Sequence, residues 1–128
     1  MEVLELMLCL EPMSIKELAR EIKQFSDERD WGQFHNPKDL SIAISLEASE
    51  LLEHFLWRNA EQIDARARDH LGAIRHEIAD IAIYLLELTD LLGIDLSEAI
   101  RDKLKVNEEK YPVARAKGNS RKYNEGNT

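Results

Sequence analysis

The chain has 128 residues, 44% of them hydrophobic and 33% charged, and its 17 Lys and Arg against 25 Asp and Glu give a formal net charge of −8. That length fits one domain, which as a monomer would bury roughly 68 to 70% of the surface its unfolded chain exposes. The acidic balance argues against a nucleic-acid polymer as partner, because phosphate backbones are held by clustered Lys and Arg. A single cysteine, Cys9, excludes an intrachain disulfide and a Cys-rich zinc site, so a reducing, cytoplasmic setting is expected.

Residues 1–13 read as an N-terminal arm. Val3, Leu4, Leu6, Met7, Leu8 and Leu10 are apolar, but Glu2 and Glu5 stand where a signal peptide carries basic residues, and Met13-Ser14 is a sensible start for the domain proper. With five Gly, three Pro and no alternating β-branched runs, the rest reads as all-α. Ser14 caps a first helix, with Glu17 at the capping-box position, that runs to about Arg29 or Asp30. Residues 31–36 form a loop, and Asn36-Pro37 opens a second helix continuing to about Asn59.

A third helical region starts near Glu61, breaks or bends near Gly72 and stops at Gly93. Asp95 or Ser97 opens a fourth helix, which Pro112 ends after Tyr111. The domain thus spans 14–112, and the polar tail 113–128 is expected to be irregular. The richest apolar stretch is interrupted by Asp80, Glu87 and Asp90 before it reaches the ~20 residues of a membrane span, so no membrane partner is expected. The second and third helices are apolar nearly all round, which predicts cover from a second copy of the chain.

Two acidic pairs interrupt those apolar helices, Glu47-x-x-Glu50 and Glu77-x-x-Asp80. A three-residue step places both carboxylates on one face. Along the second helix the row reads Leu40, Ala43, Glu47, Glu50, His54 and Trp57; along the third, Ile74, Glu77, Asp80 or Ile81, Tyr84 and Leu88. Unit charges 4 Å apart repel by about 4 kcal/mol at an effective dielectric of 20, so facing pairs call for a cation. Oxygen-only ligands suit magnesium, with manganese as a substitute, and magnesium completes its shell with water and phosphate oxygens. Phosphate-bond hydrolysis is the chemistry that follows. A ferritin-like di-iron site needs Glu-x-x-His motifs, and none occurs here.

The segments Glu28-Arg29-Asp30-Trp31, Gln33-Phe34-His35 and Pro37-Lys38 precede the first acidic pair. Phe55 and Trp57 follow it, and Tyr84 follows the second. Lys103, Asn107, Lys110-Tyr111-Pro112, Gly118, Ser120 and Lys122-Tyr123 complete the series. In this order and spacing, over residues 14 to 124, the chain resembles the all-α nucleoside triphosphate pyrophosphohydrolases of the MazG type, and among them the dCTP pyrophosphatase group.

The resemblance implies a four-helix bundle assembled as a homo-oligomer, typically a tetramer in which a neighbour helps close the base pocket. It implies hydrolysis of a deoxynucleoside triphosphate, dCTP or a modified dCTP first, to monophosphate and pyrophosphate, as nucleotide-pool sanitation. Glu47, Glu50, Glu77 and Asp80 then hold magnesium and activate water, the roles among them open. Trp31, His35, Trp57 and Tyr84 are expected to flank the base. Lys38, Lys103, Lys110 and Lys122 are expected at phosphate oxygens, Asn107 at phosphate or sugar, and Tyr123 in the substrate site supplied by the tail. The alternatives are a related enzyme acting on dUTP, on dNTPs broadly or on phosphoribosyl-ATP, and a non-catalytic helical oligomer holding metal for structure; the last would not need convergent basic and aromatic groups.

Overall fold

A computed structural model describes residues 13–125; the apolar arm up to residue 12, with Cys9, lies outside the described residues. Six α-helices occur among them: α1 (Ile15–Glu28), α2 (Pro37–Glu53), α3 (Ala60–Asp69), α4 (Leu71–Leu92), α5 (Leu96–Lys110) and α6 (Val113–Ala116). A 3-10 turn over Trp31–Phe34 lies between α1 and α2. No strand occurs among the described residues, and none of the helices is long and apolar enough to cross a membrane. The chain divides into two compact units, one ending at Ile94 and one beginning at Asp95.

In the first unit α2 and α4 make the most extensive packing, with α1 and α3 also laid against α4. Leu40 on α2 is 2% exposed and, with Ile74 and Leu86 of α4, forms the buried apolar centre. Caps set the helix starts as the sequence predicts. Ser14 and Glu17 form the capping box of α1, and Asn36 Oδ1 accepts from the Asp39 amide at 2.9 Å ahead of Pro37. Gly93 takes the left-handed conformation, φ 67°, that ends α4, and the Ile94 amide donates back to the Thr89 carbonyl at 2.8 Å.

Three boundaries differ from expectation. Helix α2 ends at Glu53 rather than Asn59, since Trp57 has φ 61°, a left-handed value no continuing helix can carry. Asn59 instead caps α3, in a capping box with Gln62. The break between α3 and α4 falls at His70, while Gly72 lies within the first turn of α4. Residues 113–116, expected to be irregular, form the short helix α6, with Pro112 at its N-cap.

Helices α5 and α6 belong to the second unit. The Asp95 side chain caps α5 by accepting from the Glu98 amide at 3.0 Å.

Candidate active site

The packing of α2 on α4 brings the two acidic pairs together. Glu47 shows this most clearly. Its carboxyl pKa is raised by burial first, then by the charges of Glu50 and Asp80, by a side-chain hydrogen bond with Glu50, and by the charge of Glu77. Its Oε2 is buried without a hydrogen-bond partner. Among the described residues no three His, Cys, Asp or Glu side chains are drawn together closely enough to hold an ion as they stand. The donor set nonetheless fits a hard divalent cation: four carboxylates, oxygen only, two of them, Glu47 and Glu77, with a buried oxygen that has no hydrogen-bond partner, and Glu47 with a raised pKa that a positive charge would relieve.

A support that sequence reasoning missed lies behind this cluster. Buried His54, the residue after α2, pairs through Nε2 with Glu77 Oε2. Arg66 of α3 points NH2 at His54 Nδ1, 3.3 Å away, and NH1 at His70 Nε2, 2.7 Å away. Arginine has only donors, so Nδ1 of His54 accepts and the ring hydrogen sits on Nε2, facing Glu77. The pairing fixes one oxygen of Glu77. The signal was present in the sequence, because His54 continues the row of Glu47 and Glu50.

Asp80 also opens onto a cavity of about 410 Å³, lined by Glu21, Ile22, Phe25, Trp31, His35, Ile83, Tyr84 and Glu87. Phe25 and Trp31 meet edge to face with centroids 5.6 Å apart, and the Arg29 guanidinium covers Phe25 at 3.5 Å. The pKa of Tyr84, which lines the cavity, is raised by burial and then by the charges of Glu47, Glu87 and Asp80. Three of the four expected base-flanking residues, Trp31, His35 and Tyr84, therefore share one cavity. Trp57 does not join them: it is 93% exposed, on the turn after α2. Lys38, in the first turn of α2, is exposed and does not line the cavity.

The remaining expected residues belong to the second unit. Lys103 and Asn107 lie on α5. Lys110, Lys122 and Tyr123 line a cleft of about 60 Å³ together with Arg115 and Arg121. There Lys110 Nζ stands 4.8 Å from the centre of the Tyr123 ring, which meets Tyr111 edge to face at 6.0 Å. Such a cleft offers several cationic groups to an anion.

The MazG-like family pattern matches residues 42–125. The chain is 35% identical over 112 residues to bovine (Bos taurus) dCTP pyrophosphatase 1, an alignment covering 86% of this chain and 66% of the relative. To the human (Homo sapiens) protein of the same name it is 33% identical over 114 residues, covering 88% and 67%. It spans about two thirds of the length of these relatives. A solved pyrophosphatase structure from Archaeoglobus fulgidus DSM 4304 superposes with a TM-score of 0.75 and 39% identity, over 80% of this chain and 95% of that one. On both sequence and fold, the chain belongs to the MazG-like family.

Proposed function

We propose that this chain is a divalent-metal-dependent pyrophosphohydrolase of deoxynucleoside triphosphates, dCTP or a modified dCTP foremost, that clears unwanted nucleotides from the pool. One observation carries the reading: Asp80, whose charge acts on Glu47 from the facing helix, also lines the wall of the aromatic cavity. A site with a cation-seeking end continuous with a ring-sized, partly apolar space suits a molecule that is polyanionic at one end and flat at the other. The names of the relatives point the same way.

In this reading Glu47, Glu50, Glu77 and Asp80 would hold magnesium, or manganese in its place. The cation supplies charge neutralisation at the triphosphate oxygens and polarises water for attack. The chain's own residues do the rest. His54 keeps one Glu77 oxygen engaged, so the carboxylate cannot swing freely. Phe25, Trp31, His35 and Tyr84 take the base and sugar and restrict how the α-phosphorus is presented. Water attacks that phosphorus, the bridge to the β-phosphorus breaks, and a carboxylate of the cluster accepts the water's proton. Lys38 is proposed for the phosphate oxygens, and resemblance to the family suggests the same for Lys103, Lys110 and Lys122 of the second unit, with Asn107 for phosphate or sugar and Tyr123 for the same end of the substrate. Incubation with each dNTP and magnesium, with products separated by chromatography, should yield monophosphate and pyrophosphate without diphosphate. Diphosphate as product, or no turnover of any dNTP, contradicts the reading.

The working form is proposed to be a homo-oligomer, a tetramer by resemblance to the family. Ile78, Leu85 and Leu92 recur at seven-residue spacing along α4 and are all exposed, as are Ile42 and Leu46, one turn apart on α2. Apolar rows of this kind suit helix-to-helix contact between copies. Trp57, held in a left-handed conformation and almost wholly exposed, is proposed to cover a neighbour's cavity in that assembly. Leu85→Glu is expected to shift the mass measured by light scattering to that of a smaller assembly; an unchanged mass places the interface elsewhere.

A further inference from the structure

The Glu87 side chain is nine-tenths buried, and its Oε2 has no hydrogen-bond partner. A buried carboxyl oxygen in that state costs free energy unless something donates to it. The chain's own candidates do not reach. His35 Nδ1 is 3.8 Å away, beyond hydrogen-bond range, and that nitrogen lies 3.4 Å from Ser26 Oγ. The Lys23 ammonium is engaged by Asp27 at 2.7 Å. Glu87 lines two cavities, one of about 130 Å³ with Lys23, Ser26 and Asp90 and the one of about 410 Å³ with Phe25, Trp31 and Tyr84; only the larger also reaches Asp80, so a donor carried by an occupant of the site would come from there.

Position along α4 says which part of an occupant Glu87 meets. Asp80, Tyr84 and Glu87 follow one another at four- and three-residue steps, so they lie on one face. Glu87 stands two turns from Asp80, about 10.5 Å of axial rise. A nucleoside whose 5′ end lies at the acid cluster and whose ring lies among the aromatic side chains would bring the far edge of its base to that depth. Resting on the dNTP reading above, we infer that Glu87 is the base-reading residue, accepting a hydrogen bond from an exocyclic amine and so favouring cytosine over uracil.

The chemistry of the edge supports this choice. An ionised carboxylate offers acceptors only; cytosine presents its N4 amine there, whereas uracil presents the O4 carbonyl, a second acceptor facing the first. Burial raises the pKa of Glu87, and an amine that donates to its buried oxygen favours the ionised, acceptor-only form.

Deoxycytidine and deoxyuridine carry no phosphate, so their binding to the full chain, followed by ligand-observed NMR, tests the inference without requiring turnover. Wild type should prefer deoxycytidine by about tenfold or more, the scale of a hydrogen bond to a charged group. Glu87→Gln, whose amide can also donate to O4, should bring the two within about twofold. Glu87→Ala should also lose the preference. Equal binding of both nucleosides by wild type, binding of neither, or a preference that survives in both variants overturns the inference. A dNTP assay on the same samples keeps the two questions apart: absent turnover with a Glu87-dependent preference leaves base reading in place and removes the enzyme reading.

Discussion

Glu47→Gln is expected to lower kcat with dCTP and magnesium at least about a hundredfold, because even the outer-shell partners of a metal site cost about 10- to 100-fold when removed. The metal-free protein should melt at the same or a higher temperature. The charges of Glu50, Asp80 and Glu77 all act on Glu47, and a like-charge pair at helical spacing, such as Glu47 with Glu50, costs about 0.2 to 0.5 kcal/mol. The pH dependence has a definite sign. The pKa values of Glu47 and Glu87 are raised above the carboxylate value of 4.5. A proton held more tightly in the folded state stabilises the fold fully below pH 4.5, and that contribution is lost as pH rises through the folded pKa. Metal-free wild type should therefore lose stability with pH above 4.5, and Glu47→Gln should lose less; added magnesium should restore wild type and do little for the variant. If Glu47→Gln unfolds the metal-free protein, Glu47 has a structural role outside the carboxylate cluster.

His54→Leu should have the largest effect on stability. The imidazole pairs with Glu77 and accepts from Arg66, and both partners belong to the first unit. Leucine fills similar space but leaves a carboxylate and a guanidinium in a half-buried setting without their partner. Losses of about 2 to 4 kcal/mol follow from two uncompensated polar groups, a drop of about 10 °C or more in melting temperature. Turnover should fall by about 10- to 100-fold at temperatures where the variant is still folded, since Glu77 is no longer fixed. His54→Gln, which can present an amide hydrogen to Glu77 and an oxygen to Arg66, should recover part of both. A His54→Leu protein with the wild-type melting curve and rate would remove His54 from the support of the site.

The helices were legible in the sequence wherever a cap announced them: Ser14 with Glu17, Asn36 with Pro37, Asp95, and Gly93 at the end of α4. The end of α2 was not. Residues 54–57 are apolar enough to continue a helix, and it is the pairing of His54 with groups distant in sequence, together with the left-handed Trp57, that turns the chain. The Asn59-x-x-Gln62 box was readable as the start of α3, and an expected start at Glu61 passed over it.

The site divides in the same way. Three-residue spacing was enough to foresee two acidic pairs on facing helices. The aromatic lining was foreseen by family order, which puts Trp31, His35 and Tyr84 together. Glu87 was missed although it stands three residues beyond Tyr84 on the same face, because its importance lies in burial and in a carboxyl oxygen without a hydrogen-bond donor, which no spacing reveals. Trp57 was expected beside the base and stands in solvent on the turn after α2, because its left-handed φ of 61° takes it off the helix face that would have carried it there.

The central claim is that the carboxylate cluster and the aromatic cavity are one site joined at Asp80. Deoxycytidine has no phosphate with which to bind Mn2+ itself, so paramagnetic relaxation of its ring protons by Mn2+ in the presence of the protein reports directly on whether metal and base sites adjoin. Strong, protein-dependent relaxation that excess Mg2+ reverses and Glu47→Gln abolishes is the predicted result; deoxycytidine that binds without any Mn2+-induced relaxation would contradict it.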